Sequence, residues 1–460
     1  MIISIIYHNP MTDLNTIKAS IISSIRPSDE ERTRLKTLAG RIIERINSIG
    51  KAENIDVNGI LVGSSARGTW ISGEHDLDIF IMFPPEAQRQ FLEEKGLYIA
   101  RKIATEGESF EERYAEHPYI HAVIDGFEVD LVPAFNVESA GEIKSAVDRT
   151  PFHNKYVSSR IKGLEDDVLL LKQFQKGIGV YGSELKTHGF SGYLVELLVI
   201  HYGSFEKVLE AACDWKFGLV IDIEKHGTIV HKDPIVVIDP TDPGRNVAAA
   251  LSLDNMCIFT DKACDFLKNI DESYFHLKIP QPLGDTDYEN IICARGTCLI
   301  AVEFDAPDEV EDVLYPQLYK LEESCHEMLE RYDFRVYNSG VWAKEKAVVL
   351  YELESANLPN VKKHTGPIVG TKEHASAFKS KYETANKFSN VYIRNGKYVV
   401  EIPRKYSNAR KLVESEILKC SLGKHIGVSM RKKFIVMENL EILNIRDEEF
   451  RKFLGRFFDK

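Results

Sequence analysis

The chain has 460 residues, of which 44% are hydrophobic and 28% charged, and this is typical of a globular protein with about two to four domains. No apolar run approaches the roughly 20 residues that span a bilayer, so neither a membrane protein nor a membrane partner is expected. Seven scattered cysteines without a CxxC pair predict free thiols and a cytoplasmic protein, and they argue against a structural zinc site.

Charge is distributed unevenly along the chain. The formal net charge of −12 is by itself a poor sign of nucleic-acid binding. Residues 361–460, however, contain 22 Lys and Arg against 11 Asp and Glu, a net charge of +11, whereas residues 1–360 carry a net charge of −23. The basic C-terminal part predicts contacts with a phosphate backbone, and an ordinary solvated surface is the alternative.

The N-terminal part is predicted to alternate helices and strands. Apolar residues at helical spacing predict helix over residues 14–50, with a capped start at Ser28 and a stop at Gly50. The short apolar run 60–62 predicts a strand, and the pattern of residues 86–106 predicts a further helix.

Residues 76–83 combine an acidic face with an apolar face. Apolar side chains alternate with Asp76 and Asp78, and a period of two is typical of a strand. Both carboxylates therefore lie on one face, where they repel each other unless a cation lies between them. An edge strand with one solvent-exposed face is the alternative interpretation.

A third carboxylate lies in the same α/β unit. Two β-rich runs flank Asp125-Gly126 within residues 119–133, and this pattern predicts a tight hairpin. On the second run, Glu128 and Asp130 face away from the apolar residues. Asp130 therefore completes a candidate metal triad with the two earlier aspartates.

The rest of the chain is predicted to be mainly helical up to a linker at 279–284 and α+β beyond it. Before the linker we expect a helix over 151–176, a helix entered from 189–192, a strand over 235–238 and a loop over 239–248 that leads into a helix. After it we expect strands over 298–304, 334–338 and 346–353, a strand pair over 391–402 around Asn395-Gly396, a helix over 308–332, a basic lobe over 362–382 and a basic, helical end.

These residues suit nucleotidyl transfer, which needs a triphosphate site, divalent cations and an attacking oxygen held in line. Ser64, just after a strand and Gly63, offers a backbone N–H group and a hydroxyl to phosphates, and Arg67 offers a bidentate charged contact. The three carboxylates favour hard cations, and they are suited to two Mg²⁺ ions about 3.5–4 Å apart.

The order of these motifs is more specific than any one of them. Gly63-Ser64 followed by Asp76-Leu77-Asp78 and then by Asp130 resembles the nucleotidyltransferase superfamily that includes DNA polymerase β, poly(A) polymerases and CCA-adding enzymes. Three further segments are similar to the class I CCA-adding enzymes of archaea: Asp148–His153, Ser191–Leu198 and Asp239–Ala248. Asp76 stands where that family often has glutamate, and either carboxylate can bind Mg²⁺.

The resemblance implies a multidomain α+β fold with a polymerase-β-like nucleotidyltransferase head, a helical neck, and an α+β body and tail. The expected ranges are 1–155 for the head, 156–270 for the neck and 271–460 for the tRNA-binding body and tail. It also implies template-independent addition of C, C and A to the 3′ end of tRNA from CTP and ATP, with release of pyrophosphate. The tRNA would be held at its acceptor stem and elbow, and the oligomeric state, a homodimer included, stays open.

The resemblance also assigns roles to individual residues. Asp76, Asp78 and Asp130 would be the catalytic metal ligands, and Ser64 and Arg67 would contact the triphosphate. The nucleotide would be lined by Thr150, His153, Lys172 and Tyr181. The base edge of C or A would be read by Arg245.

Each nucleotide contact has a structural alternative. Lys172 could be a surface lysine whose aliphatic stem covers apolar residues. His153 could form only a local hydrogen bond, and Tyr181 could be a packing residue. Arg245 fits an ion pair with Asp239 or Asp242.

Two other functions compete with CCA addition for the whole chain. One is another RNA 3′-nucleotidyltransferase, such as a poly(A) polymerase. The other is a tRNA-binding protein that has lost catalysis, which the complete carboxylate set argues against.

Overall fold

The structure is a computed structural model that describes residues 14–114, 117–227 and 232–459. The chain divides into two compact units, residues 1–278 (unit 1) and residues 279–460 (unit 2). No helix within the described ranges is both long and apolar enough to cross a membrane.

Unit 1 combines a mixed sheet with a helical part. Its helices and strands are, in chain order, α1 (Leu14–Ile25), α2 (Asp29–Glu53), β1 (Asn58–Val62), α3 (Gly63–Arg67), β2 (Asp76–Phe83), α4 (Arg89–Ala104), β3 (Ser109–Tyr114), β4 (Pro118–Ile124), β5 (Phe127–Phe135), α5 (Thr150–Ser158), α6 (Glu165–Gly177), α7 (Gly192–Tyr202), α8 (Phe205–Ala212), β6 (Leu219–Ile221), β7 (Ile235–Val237) and α9 (Leu253–Lys268). Short 3₁₀ turns are formed by Ala140–Glu142, Ala146–Arg149 and Glu272–Phe275.

The sheet of unit 1 has five strands in the order β1-β2-β5-β4-β3. The strands β2 and β5 run parallel, and the other neighbours are antiparallel. The helices α2 and α4 bury one face of this sheet, to which Ile79 and Leu131 belong. The opposite face holds a smaller apolar cluster around Phe80 and Val132. Because side chains alternate along a strand, Asp78 and Asp130 belong to this second face.

Local sequence signals predict several of these elements correctly. Ser28 and Glu31 form a reciprocal capping box at the start of α2. The predicted hairpin at Asp125-Gly126 is confirmed, with φ angles of 53° and 74°. The predicted stop at Gly50 is wrong, because α2 continues to Glu53. A side chain at Gly50 would collide with Val57, so this glycine lets the segment after α2 pack closely against the helix.

The second half of unit 1 is mainly helical and surrounds an aromatic core. The helices α1 and α5–α9 contribute to that core, and its rings are Phe174, Phe190, Phe205, Phe259, Phe266 and Phe275. The single helix predicted over 151–176 is two helices, separated by a turn in which Gly163 has a φ of +87°. The helix predicted after residue 248 begins only at Leu253, capped by Ser252.

The expectation of seven free thiols is wrong at two positions. Cys213, just after α8, and Cys264 on α9 form a disulfide, with their Cα atoms 5.3 Å apart. The packing of α8 on α9 brings these residues together across 51 positions of sequence, a contact that spacing alone does not reveal. The other five cysteines are free: Cys257, Cys293, Cys298, Cys325 and Cys420.

Unit 2 is α+β throughout. Its helices and strands are α10 (Asp285–Arg295), β8 (Cys298–Asp305), α11 (Glu311–Arg331), β9 (Val336–Ala343), β10 (Lys346–Leu353), β11 (Val361–Ile368), α12 (Lys372–Thr384), β12 (Tyr392–Arg394), β13 (Lys397–Pro403), α13 (Ala409–Glu416), α14 (Lys424–Lys432), β14 (Phe434–Glu438) and α15 (Glu448–Phe458). Short 3₁₀ turns are formed by Ile417–Lys419 and Asn439–Asn444.

An antiparallel sheet in the order β14-β8-β10-β9 forms the centre of unit 2. The helices α11, α13 and α14 bury one face of it, and α10 and α15 bury the other. The basic lobe is a separate sheet, β11-β13-β12, on which α12 packs. The hairpin predicted at Asn395-Gly396 joins β12 to β13, as expected. The predicted class, α+β with several domains, is confirmed.

Candidate active site

Three aspartates lie at neighbouring positions on the parallel strands β2 and β5. Asp78 is the register partner of Asp130, and Asp76 is the partner of Glu128. Asp76 is exposed, whereas Asp78 and Asp130 are half-buried. The sequence predicts that these aspartates belong to two strands, and the structure adds that the strands are direct neighbours.

The chain turns sharply beside Asp78. Val62, the last residue of β1, is the register partner of Asp78. The next residue, Gly63, has a φ of +75°, and a Cβ at this position would collide with the carboxylate of Asp78. Only glycine therefore fits here, and Ser64 follows directly on a turn that packs against the carboxylate.

The carboxylates disfavour one another's charge. Burial, and then the negative charges of Asp130 and Asp76, raise the pKa of Asp78 to about 6, while the charge of Arg67 opposes this shift. Partial loss of hydration at Asp76, and then the charges of Glu128 and Asp130, also raise the pKa of Asp76. A cation bound nearby would favour the ionised form of both carboxylates.

The donor set fits a hard divalent cation, because all three predicted ligands offer carboxylate oxygens. One oxygen of Asp130 is hydrogen-bonded to Nδ1 of His121 on β4, at 2.7 Å. Within the described ranges, no group of three or more His, Cys, Asp or Glu side chains is arranged as a ready metal site. The structure thus gathers the three aspartates on one sheet face, and their role as metal ligands stays a prediction.

Arg67 is held by two helices of the helical part. Its Nε donates to Oε1 of Glu196 on α7 at 2.9 Å, and its Nη1 donates to Oδ1 of Asn154 on α5 at 3.2 Å. The hydroxyl of Thr69 donates to the same Glu196 oxygen at 2.5 Å. The side chains of Arg67 and Glu196 are only 7% and 0% exposed, so this ion pair is shielded from water.

Lys172 and Tyr181 lie close to this ion pair. Lys172 is buried and donates from Nζ to the backbone oxygen of Thr69 at 2.8 Å, so the surface-lysine alternative is wrong. Burial lowers the pKa of Lys172 to about 8. A Cβ at Gly192 would lie 3.2 Å from the hydroxyl of Tyr181 and 3.6 Å from Nζ of Lys172, so both groups converge on this glycine.

Asp239 joins two further predicted residues. Its Oδ2 is hydrogen-bonded to Nε2 of His153 at 2.8 Å and accepts from Nη1 of Arg245 at 2.9 Å. Although burial raises the pKa of Asp239, its hydrogen bonds with His153 and Thr241 bring that pKa well below its usual value. The ring of Tyr193 stacks on His153, with centroids 4.1 Å apart. The structure therefore contains both alternatives expected from the sequence, the ion pair of Arg245 with Asp239 and the local hydrogen bond of His153.

Thr150 begins α5, one turn before His153, and is half-buried. A cavity of about 660 Å³ is lined by Arg149, Ser191 and Arg245, and another of about 580 Å³ by Arg67 and Trp70. Both volumes lie in the range of small-molecule sites. All the predicted site residues thus belong to unit 1.

Sequence reasoning missed four residues that organise these groups: His121, Asn154, Glu196 and Asp239. The sequence predicts a helix entered from 189–192, but it assigns no residue-level role within the apolar segment 191–198. A lone glutamate inside that apolar run is nevertheless a signal, because a buried charge requires a partner. Asp239 carried a weaker signal, since it was expected only as an ion-pair partner of Arg245.

Three family models match successive parts of the chain. They are described as a nucleotidyltransferase domain over residues 41–153, a second domain of tRNA nucleotidyltransferase over 166–276, and a C-terminal domain of CCA-adding enzyme over 295–439. Among solved structures, the Cid1 poly(U) polymerase is 14% identical, with a TM-score of 0.47 and coverage of 57% of this chain and 98% of that chain.

Curated relatives match the chain over nearly its whole length. A CCA-adding enzyme of Methanosarcina mazei is 51% identical over 96% of this chain and 98% of the relative. The corresponding enzyme of Methanothermobacter thermautotrophicus is 38% identical over 97% of this chain and 98% of the relative. The corresponding enzyme of Halobacterium salinarum is 42% identical over 90% of this chain and 92% of the relative.

Proposed function

Since the chain belongs to the CCA-adding enzyme family, we propose that the aspartates of β2 and β5 are the site at which it extends the 3′ end of tRNA. The chain is a tRNA nucleotidyltransferase that adds C, C and A. Its five-stranded sheet belongs to a polymerase-β-like nucleotidyltransferase domain. Enzymes of this family bind tRNA, CTP and ATP and generally use divalent metal ions.

One observation carries the proposed site more than any other. Asp78 and Asp130 are register partners on parallel strands, beside the glycine turn that leads to Ser64. In the proposal, Asp76, Asp78 and Asp130 would hold two Mg²⁺ ions on this face of β2 and β5, and these ions would supply the positive charge that favours ionisation of the attacking 3′-hydroxyl and departure of pyrophosphate.

The remaining predicted residues bind the nucleotide in this proposal. Ser64 and Arg67 contact the triphosphate, and the buried position of Arg67 supports this because a desolvated cation attracts phosphate more strongly. Thr150, His153, Lys172 and Tyr181 line the nucleotide, and Arg245 reads the base edge. The ion pair with Asp239 holds the guanidinium of Arg245 in place for that contact.

We further propose that residues 1–155 are the catalytic head, 156–270 the nucleotide-selecting neck and 271–460 the tRNA-binding part. The net charge of +11 on residues 361–460 supports binding of the acceptor stem and elbow, which proteins recognise mainly through shape, phosphates and 2′-hydroxyls. A homodimer and a cytoplasmic location are further parts of the proposal, to be tested by light scattering and cell fractionation.

The test of the proposed function uses a tRNA transcript that lacks its terminal CCA. The full chain is incubated with this tRNA, Mg²⁺, CTP and ATP, and the 3′ ends are sequenced. We expect C, C and A in that order, and growth that stops there. A long A tail, or extension that ignores CTP, would indicate a poly(A) polymerase and overturn the proposal.

A matched pair of variants tests the site. Asp130→Asn removes the charge of the register partner of Asp78, and Asp305→Asn removes an exposed aspartate at the end of β8 in unit 2. We expect only the first to abolish extension. Equal activity of both variants would show that β5 does not carry the chemistry.

A further inference from the structure

The carboxylate of Glu196 is buried in an unusual way. Its side chain is 0% exposed, and Oε1 accepts hydrogen bonds from both Arg67 and Thr69. Among the described residues, Oε2 of the same carboxylate has no hydrogen-bond partner. A buried charged oxygen without a partner costs free energy, so this arrangement is poorly suited to stability alone.

The contacts of Arg67 indicate what the buried carboxylate of Glu196 does. The guanidinium is planar, so fixing two of its nitrogens also fixes the direction of the third. Glu196 holds Nε and Asn154 holds Nη1. These contacts come from α7 and α5, whereas Arg67 belongs to α3, beside the aspartates. The charge of Arg67 is therefore oriented by residues outside its own element.

A second effect of Glu196 is electrostatic. Arg67 and Lys172 are two cations that lie against the same short segment, because Lys172 donates to the backbone oxygen of Thr69. Burial lowers the pKa of Lys172, and the charge of Glu196 opposes that shift. The carboxylate thus offsets the repulsion between the two cations when no nucleotide is bound.

We propose that Glu196 is a positioning residue of the triphosphate site, which holds the guanidinium of Arg67 in the orientation that binds phosphate. Asn154 assists it at the second nitrogen. The inference rests on the proposed role of Arg67 in binding the triphosphate. It predicts that losing Glu196 impairs nucleotide binding more than turnover, and that this effect on nucleotide binding requires Arg67.

The test is the variant Glu196→Gln, which keeps the side-chain volume and one acceptor oxygen but removes the charge. We expect the KM for CTP and the KM for ATP to rise by about 10-fold or more, as for loss of a hydrogen bond to a charged group. The kcat and the KM for tRNA should change less than about 3-fold, within the spread of an ordinary surface change. A fall in kcat or in melting temperature with both nucleotide KM values unchanged would overturn the proposal.

Glu352→Gln is the matched control. Glu352 is also 0% exposed and accepts hydrogen bonds from an arginine and a threonine, Arg295 and Thr297, but it belongs to unit 2. We expect this variant to lower the melting temperature while leaving the nucleotide KM values unchanged. An equal rise in KM for both variants would mean that the effect of Glu196→Gln is general destabilisation.

A double-mutant cycle separates this inference from the proposed function. If Arg67→Ala alone leaves the nucleotide KM values unchanged, the role of Arg67 is wrong. If Arg67→Ala raises them and Glu196→Gln does not, only the role of Glu196 is wrong. If both raise them, the double variant should be no worse than Arg67→Ala, because Glu196 then has nothing to orient; additive effects would overturn the proposal.

Should Glu196→Gln fail to fold, Asn154→Ala carries the test. This change removes the contact at Nη1 and leaves Glu196 in place. We expect a rise of about 2- to 5-fold in the same two KM values, the size of one neutral acceptor. Unchanged values would show that the orientation of the guanidinium does not matter.

Discussion

The same three-residue sequence, Arg-Gly-Thr, occurs in both units and binds a buried glutamate in each. In unit 1 it is Arg67-Gly68-Thr69, and in unit 2 it is Arg295-Gly296-Thr297. In both cases a helix ends at the arginine, and the glycine caps it with a φ of 73° or 64°. In both cases the arginine and the threonine donate to one glutamate that is 0% exposed.

The two clusters differ in how many carboxylate oxygens they use. Arg295 binds Glu352 through two nitrogens and two oxygens, at 2.6 and 3.0 Å, and its side chain is 43% exposed. Arg67 binds one oxygen of Glu196, uses another nitrogen for Asn154, and is 7% exposed. The closed pair fits a structural clamp between α10 and β10. The open pair leaves a buried charge beside the aspartates.

The Arg-Gly-Thr motif alone does not reveal whether its ion pair is structural or part of a binding site. A closed, bidentate pair satisfies its own charges and needs nothing else. An open pair in a low-dielectric setting is costly unless a further charge joins it, and a triphosphate is such a charge.

The largest effect is expected at the proposed catalytic aspartates of unit 1. Asp78→Ala should lower kcat/KM for CTP addition by about 10³-fold or more, because it removes a group that acts on the transition state. Binding of tRNA, measured by filter retention, should stay unchanged. Turnover equal to that of the unaltered chain would show that β2 does not carry the chemistry.

A smaller effect is expected from the basic residues of unit 2. Deleting residues 361–460 would remove β14 and α13–α15, which are parts of the unit 2 cores, so charge changes are the cleaner test. Lys432→Gln with Lys433→Gln should weaken tRNA binding by roughly 10-fold at low salt and reduce the salt slope by about 2. The measurement is the tRNA Kd as a function of NaCl concentration.

Its control is the same double neutralisation in unit 1, at the exposed residues Lys216 and Lys268. That pair should leave the salt slope unchanged. Equal slopes for both double variants would contradict the assignment of tRNA binding to the basic part.

The two threonines offer the most direct contrast between the clusters. Thr69→Val and Thr297→Val each remove one hydroxyl that donates to a glutamate. We expect the first to raise the KM for CTP by about 2- to 10-fold, the size of one hydrogen bond, and the second to leave it unchanged. Steady-state kinetics checks this, and a similar KM for both variants would remove the functional distinction.

Unit 1 is also expected to show a pH dependence of stability. Burial lowers the pKa of Lys172 from 10.5 to about 8. Between these values the unfolded chain binds more protons, so this group makes the folded state more stable as the pH rises, by about 3–4 kcal/mol at most. Below pH 8 both states are protonated and the slope vanishes.

Urea midpoints between pH 7 and pH 10.5 measure this slope, and Lys172→Met is the reference that lacks it. The difference between the two chains isolates Lys172 from the other groups that titrate in the same range. Parallel pH curves would mean that Lys172 is hydrated in the folded chain.

Much of the site could be predicted because its signals are local. The spacing of Asp76 and Asp78 places both on one strand face, since side chains alternate along any strand. The Asp125-Gly126 and Asn395-Gly396 turns follow from the ease with which these residues adopt positive φ. The capped start of α2 at Ser28 has a similar local cause.

Other local rules failed where packing outweighed them. Gly50 lies inside α2 because the close approach of Val57 leaves no room for a side chain. A glycine inside a helix costs only about 1 kcal/mol relative to alanine, so it does not end the helix. The single helix predicted over 151–176 is interrupted, and the hydrophobic period on both sides of Gly163 gave no sign of this.

The sequence by itself thus determined the strand that carries the acidic pair, the hairpin that carries Asp130, the division of charge along the chain, and the family. Tertiary structure alone decided which residues meet. It placed Asp78 beside Asp130 and Arg67 on Glu196, across 129 positions of sequence, and it buried Lys172. The physical reason is that backbone preferences act over a few residues, whereas the pairing of buried charges depends on which helices pack together.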